Sequence, residues 1–98
     1  MRCRHADRRL ERVERDAGAT LGHGADVDKA FRRRMQLIRN AADERDFRAL
    51  KSLHFERLKG NRSGQCSMRL NDQWRLVLEF ETDGQGKVVV VVRVEDYH

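Results

Sequence analysis

Apolar residues in the first half of the chain recur with the period of an α-helix. The clearest run, at steps of three or four residues, consists of Val27, Phe31, Met35, Ile38 and Ala42. This spacing places one apolar stripe on a long amphipathic helix. The glycine-punctuated segment GATLGHGAD precedes it as a loop, and Asp26 or Asp28 is expected to cap its first turn.

Two shorter helices are predicted on either side of the long one. The first runs through RRLERVERDA, with Asp7 as its cap and with Leu10 and Val13 on its inner side. The other runs through ERDFRALKSL, with Asp43 as its cap and with Phe47 and Leu50 directed inward.

The last third of the chain alternates between apolar and polar residues, as half-buried strands do. Residues 66–71 form one such segment and residues 74–81 a second, joined by a tight turn at ND. In the second segment Trp74 faces the core and Arg75 projects from the opposite face. After the turn TDGQG, Lys87–Val94 is so uniformly apolar that we predict a central strand covered on both faces.

This order of elements defines the expected fold class. Helices followed by consecutive antiparallel strands predict an α+β protein, in which N-terminal helices pack on a small antiparallel β-sheet. We expect one domain over residues 1–98. The first residues, MRCRH, could pair as an edge strand, but we do not count them as part of the sheet.

Composition limits the classes of protein to consider. The chain is 39% hydrophobic and 38% charged, and it lacks the apolar segment of a signal peptide. The run Val88–Val92 is far shorter than the ~20 residues that cross a bilayer. Cys3 and Cys66 have no metal-ligand spacing, and we interpret them as reduced thiols rather than as a disulfide. We therefore expect a soluble cytoplasmic protein.

Basic residues are concentrated in the middle of the chain. The formal net charge is +5, and the segment 51–75 contains six basic and two acidic residues, whereas the segment from residue 76 onward is net acidic. A local basic excess favours a polyanionic partner such as RNA. The cluster Arg32, Arg33 and Arg34 is either a solvated helix face or a surface that contacts phosphates.

Several of these residues together suit phosphodiester chemistry. Arg75 on the sheet and the cations of LKGNRSG, Lys59 and Arg62, would stabilise charge on a pentavalent phosphorus. The chain ends in DYH, where an imidazole can transfer protons near neutral pH. The four histidines are scattered without metal-ligand spacing, which favours a mechanism without a metal or another cofactor. The alternatives are an ordinary surface arginine and a frayed tail.

Three separated motifs favour the catalytic interpretation. LKGNRSG, SMRLNDQWR and the terminal DYH resemble the patterns LKG-x-R-x-G, S-x-R-x-N-x-x-W-R and DYH of the HigB branch of the RelE/ParE toxin superfamily. The resemblance covers Val27–His98. It implies a toxin that cuts messenger RNA on the translating ribosome and is neutralised by a HigA-like antitoxin, with no role for a membrane.

The resemblance also implies site residues. It assigns the catalytic tail to the last three residues, Asp96, Tyr97 and His98. It gives Arg75 a contact with the scissile phosphate, and it gives RNA contacts to the basic loop with Lys59 and Arg62. We add to the RNA-binding surface the strand residue Arg69 and the helix residues Arg32 and Arg33.

One position departs from the family pattern. The usual LHPLKG has its histidine three residues before the lysine, whereas this chain has Glu56 there and His54 five residues before it. Either His54 still reaches the site as a catalytic residue or Glu56 takes that position.

The chemistry implied is attack by the 2′-hydroxyl on the adjacent phosphorus. Asp96 or His98 would take the proton, His98 or Tyr97 would protonate the leaving 5′-oxygen, and Arg75 with Lys59 would hold the phosphorane. The alternative function is a non-enzymatic toxin of the same fold that inhibits a protein target such as gyrase. A free-standing RNA-binding module is disfavoured because the chain has few aromatic residues for base stacking.

Overall fold

A computed structural model describes residues 1–62 and 64–96 of the chain and has an α+β fold. This part of the chain contains, in order, β1 (Arg2–His5), α1 (Arg8–Arg15), α2 (Ala25–Asn40), α3 (Arg45–Ala49), β2 (Glu56–Arg57), β3 (Gln65–Arg69), β4 (Trp74–Asp83) and β5 (Gly86–Asp96). Short 3₁₀ turns lie at Lys51–Leu53 and Gly60–Arg62. The α+β prediction is confirmed.

The first two helices lie where their apolar periods predict them, except that α2 ends at Asn40, so Ala42, the last residue of the predicted stripe, is exposed outside the helix. The Asp7 carboxylate accepts from the Arg9 backbone N–H and caps α1. The cap predicted for α2 is wrong, because the helix begins at Ala25 after Gly24, with no side-chain cap. Asp28 is buried instead, and its carboxylate accepts a hydrogen bond from the backbone N–H of Leu21, which fixes the preceding loop to the helix.

The third helix is shorter than predicted. It ends at Ala49, and Leu50 adopts an extended backbone and is 44% exposed, so the inward position predicted for it is wrong. The cap predicted at Asp43 is wrong by one residue: Glu44 holds the N-cap position without a side-chain cap, and Asp43 accepts from the Arg45 backbone N–H just before the helix. The chain then makes the 3₁₀ turn Lys51–Leu53, which brings the next residues under the sheet edge.

The five strands form one sheet in the order β1-β5-β4-β3-β2. The strands β3 to β5 are antiparallel, as predicted, and the short β2, which was not predicted, adds to them antiparallel. However, β1 pairs parallel to β5, so the sheet is mixed. The expectation that left residues 1–5 out of the sheet is therefore wrong. Ion pairs from Arg2 to Asp83 and from Arg4 to Glu81 cross the turn end of the sheet and accompany this pairing.

The two sides of the sheet have different roles. One side, which we call the helix face, carries Leu76 and Leu78 against α1, α2 and α3 in a single apolar core. The opposite side, which we call the Arg75 face, carries Arg75 and its cross-strand neighbours, including the buried Ser67. The valine run is buried on both faces from Val88 to Val91, as predicted for a central strand.

A β-bulge interrupts the pairing of β4 with β5. Leu78 pairs with Val91, but Val77 pairs with Arg93, which leaves Val92 as the extra residue. A bulge of one residue reverses the faces of all side chains beyond it.

A buried histidine connects β1 with the first two helices. His5 has only 4% of its side chain exposed, and its Nε2 lies 3.1 Å from Glu14 Oε1. Glu14 in turn accepts two hydrogen bonds from Arg39, at 2.6 and 2.9 Å. Burial lowers the pKa of His5, with Glu14 acting in the opposite direction, and the hydrogen bond from Arg39 lowers the pKa of Glu14.

Two further observations concern the helices and the cysteines. None of the helices in residues 1–62 and 64–96 has the length and apolar composition of a membrane span. Cys3 and Cys66 are free thiols, as predicted, and burial raises the pKa of both.

Candidate functional site

Arg75 is nearly buried, although it carries a permanent charge. Only 8% of the residue is exposed, and its Nε donates a hydrogen bond of 2.8 Å to Ser67 Oγ on the neighbouring strand. Its Nη2 donates to the backbone carbonyls of His54 and, at 3.4 Å, of Ser67. The guanidinium is therefore held in one orientation by two strands and a turn.

The turn that approaches Arg75 has a strained backbone. His54 follows the 3₁₀ turn with φ 46° and ψ 48°, a left-handed conformation that residues other than glycine rarely adopt. This conformation directs the His54 carbonyl at Arg75 while the imidazole stays exposed. The ring lies 3.4 Å from Arg69, measured from Nε2 to Nη1, and because a guanidinium can only donate, Nε2 is the acceptor in this contact.

These groups line a cleft on the Arg75 face. Its volume is about 250 Å³, and its walls are His54, Arg69, Asn71, Asp72 and Arg75. Arg69 also donates to the Asn71 carbonyl and pairs with Asp72, which fixes its position in the wall. The cleft thus brings together two cations and an imidazole, three of the groups singled out from the sequence.

A second cleft of about 340 Å³ adjoins the first at Arg75. Glu56 Oε1 lies 3.7 Å from Arg75 Nη2 in this second cleft. His54 and Glu56, the two candidates for the position that departs from the family pattern, therefore both border Arg75, one in each cleft. Arg62 pairs with Glu95 across the same cleft, and Glu95 also accepts from Arg93 at 3.2 Å.

The bulge determines which acidic residue of the tail lies near Arg75. Arg75 pairs across the strands with Glu95, whereas Asp96 pairs with Trp74 on the helix face. The Asp96 carboxylate accepts a hydrogen bond of 2.9 Å from Gln73. The structure therefore does not bring Asp96 to the Arg75 face. Tyr97 and His98, the other two residues of the predicted catalytic tail, lie outside the described residues.

The residues predicted to bind RNA have different surroundings. Lys59 is exposed between β2 and the following 3₁₀ turn, and Arg33 is exposed on α2. Arg32 donates to three backbone carbonyls at and after the end of α1, those of Val13, Asp16 and Ala19. These bonds hold the Arg32 side chain against the end of α1 and the loop after it, where the Val13 carbonyl is one that the helix end leaves without an intrahelical donor.

Sequence reasoning missed two residues of this site, Ser67 and Glu95. Ser67 lies in the SMRLNDQWR motif, two residues before Arg69, and its alternation with apolar neighbours was the available signal. Glu95 could not be recognised, because the bulge that brings it opposite Arg75 is concealed within five identical valines. Among residues 1–62 and 64–96, no group of three or more His, Cys, Asp and Glu side chains is placed to hold a metal ion.

The sequence matches one family model over almost its whole length. Residues 4–98 match the model of the RelE-like toxin of type II toxin-antitoxin system HigB. The chain belongs to this HigB family. The family resemblance drawn from the three motifs is confirmed.

Individual relatives agree with this assignment. This HigB-family chain is 35% identical over 54 residues to Toxin HigB-1 of Vibrio cholerae serotype O1, a match that covers 55% of the chain and 57% of that relative. The chain thus spans little more than half the length of this curated relative.

Two solved structures have the same fold. They are the YoeB/ParE toxin from Agrobacterium tumefaciens, with a TM-score of 0.63 and 18% identity over all of both chains, and YafQ from E. coli strain BL21(DE3). The YafQ match has a TM-score of 0.61 and 10% identity, and it covers 99% of this chain and 94% of YafQ.

Proposed function

We propose that this toxin is an endoribonuclease that cuts mRNA on the translating ribosome and that a HigA-like antitoxin neutralises it. The observation that carries the proposal is the fixed guanidinium of Arg75, held by Ser67 and the His54 carbonyl at the junction of two clefts. A cation oriented before the substrate arrives stabilises a charged transition state without reorganisation at the moment of reaction.

In the proposed reaction the 2′-hydroxyl of the RNA attacks the adjacent phosphorus. The O2′–P bond forms, the P–O5′ bond breaks, and the products carry a 2′,3′-cyclic phosphate and a 5′-hydroxyl. Arg75 and Arg69 would stabilise the phosphorane, and neither step requires a metal ion. The ribosome would hold the nucleotides in line for attack, which supplies much of the rate acceleration.

Proton transfer is assigned to groups at the same junction. His54 would accept the 2′-hydroxyl proton at Nε2, which carries no hydrogen in its 3.4 Å contact with Arg69 and would exchange that contact for the hydroxyl. His98 or Tyr97 would protonate the leaving 5′-oxygen, as the family resemblance implies. Asp96, which pairs with Trp74 on the helix face, is assigned no proton in this reaction.

The test compares the wild type with Arg75→Lys on ribosomes programmed with a defined mRNA. We expect cleavage by the wild type, a rate about 10²- to 10³-fold lower for Arg75→Lys, and no cut where the attacking nucleotide is replaced by its 2′-deoxy form. Growth arrest by the wild type with intact mRNA would contradict the proposal and would instead favour a non-enzymatic toxin.

A further inference from the structure

The side chain of Ser67 is almost completely enclosed in the sheet, which is unusual for a hydroxyl. It is 1% exposed, it lies on β3 between Cys66 and Met68, and it shares the Arg75 face with Val77, its cross-strand partner. A buried hydroxyl is costly unless it is hydrogen-bonded. Its partner here is the Arg75 Nε, at 2.8 Å.

This contact determines the orientation of a long side chain. An arginine has many accessible rotamers, and a charged head without partners would sample several of them. The bond from Nε fixes the plane of the guanidinium, and the bonds from Nη2 to the His54 and Ser67 carbonyls fix its rotation within that plane. Glu56 Oε1 lies 3.7 Å from Nη2 and shows a position from which an anionic oxygen approaches the oriented guanidinium.

We infer that Ser67 is the positioning residue for Arg75, and that it sets the direction from which the guanidinium meets the scissile phosphate. The inference rests on the proposed function for its catalytic consequence, while the Ser67–Arg75 contact itself is independent of the reaction. Ser67 acts through Arg75 and does not touch the substrate.

If Ser67 positions Arg75, its loss should lower kcat and leave KM nearly unchanged. In Ser67→Ala the charge of Arg75 remains, so long-range attraction of RNA is kept and KM should change little. Misplacement of the guanidinium should lower kcat by about tenfold to a hundredfold, as misplaced catalytic groups do. Ser67→Thr keeps the hydroxyl and should restore most of the rate. Ser52→Ala, at an exposed serine in the 3₁₀ turn Lys51–Leu53, is the matched control and should behave as wild type.

Two further measurements separate positioning from general destabilisation. In an Arg75→Ala background, Ser67→Ala should produce no additional loss of cleavage, because the residue through which Ser67 acts has been removed. In ¹⁵N–¹H spectra, the Nε–H of Arg75 should exchange slowly with solvent in the wild type and in Ser67→Thr, and rapidly in Ser67→Ala. This second measurement needs no activity and is made at a temperature where thermal melting shows that each variant is folded.

The outcomes distinguish the inference from the proposed function. If the wild type does not cut mRNA, the proposed function fails, and the exchange of the Arg75 Nε–H still tests the contact. If the wild type cuts and Ser67→Ala has an unchanged kcat, or if its effect adds fully to that of Arg75→Ala, the positioning role is overturned. A rapidly exchanging Arg75 Nε–H in the wild type would overturn it as well.

Discussion

The Glu56 carboxylate lies 3.7 Å from the Arg75 guanidinium, the group that we propose binds the scissile phosphate. The Glu56 side chain is 47% exposed, so solvent weakens this pair. A carboxylate at this position carries a negative charge, as a phosphate oxygen does, and would compete with the phosphate for the Arg75 guanidinium. The residue that departs from the family pattern therefore partly occupies the site that the substrate would use.

Glu56→Gln should make RNA binding tighter, because it removes the competing charge and keeps the size of the side chain. An exposed pair contributes at most about 1 kcal/mol, so we expect KM on programmed ribosomes to fall by about two- to fivefold with kcat unchanged. Glu81→Gln, at a similarly exposed carboxylate paired with Arg4, is the matched control. A lower kcat in Glu56→Gln would show instead that Glu56 transfers a proton.

The role of His54 can be separated from its backbone strain. His54→Gly removes the imidazole at a position whose φ of 46° glycine tolerates, whereas His54→Ala keeps a strained left-handed residue. Both variants should lose about 10²–10⁴ in cleavage rate if the imidazole acts as a general base. Thermal unfolding should show His54→Gly to be at least as stable as His54→Ala. Cleavage by His54→Gly at the wild-type rate would remove the imidazole from the mechanism.

The sequence predicted the elements whose signals are local. The apolar stripe of α2 from Val27 to Ile38, the Asp7 cap of α1 and the tight turn at Asn71 and Asp72 depend on neighbours in the chain, and each lies where it was expected. The alternation of β4 also placed Arg75 opposite Trp74, which gave the correct face of the sheet for the central cation.

The features that were missed depend on distant partners. The four residues of β1 show too little alternation to stand out, and they become a strand only because Val88–Val91 offers them an edge. Arg32 looks like a surface cation in the sequence, but its carbonyl acceptors belong to another helix end and the loop after it. The bulge at Val92 cannot be recognised in the sequence, because the four residues before it are also valines.

Salt dependence should distinguish RNA-binding cations from structural ones. Lys59→Ala and Arg33→Ala each remove an exposed cation, and each should reduce the slope of log affinity against log salt by about 1 in ribosome binding. Arg32→Ala should leave that slope unchanged and lower the midpoint of thermal unfolding, since the carbonyls of Val13 and Ala19 lose their arginine donor. A reduced slope in Arg32→Ala would place this residue on the RNA-binding surface after all.

Stability should fall as pH falls below about 6.5 because of His5. Its pKa is lowered in the folded protein, so the unfolded chain, with a histidine pKa of about 6.5, takes up a proton that the folded chain excludes. The stabilisation is complete above that value and is lost as pH falls toward the folded pKa, with a slope of at most about 1.4 kcal/mol per pH unit.

Denaturant unfolding at several pH values checks this expectation. His5→Gln should flatten the dependence in this range, and His23→Gln, at an exposed histidine, should retain it. The carboxylates with lowered pKa values, such as Glu14, titrate at lower pH and do not interfere. Equal slopes in the wild type and in His5→Gln would contradict the role of His5.

The bulge at Val92 also protects the protein against an error in strand pairing. If β5 continued in the register of Val88–Val91, Arg93 would pair with Leu76, and its charge would be forced among the apolar side chains under the helices. Val94, rather than Glu95, would then lie opposite Arg75. Because a run of identical valines fits either register almost equally well, the discrimination falls to Arg93 and to Glu95, whose carboxylate would then pair with Trp74 on the helix face. Arg93 thus favours the bulged register. A residue outside both clefts therefore helps to determine whether Glu95 or Val94 lies opposite Arg75 at the proposed phosphate site.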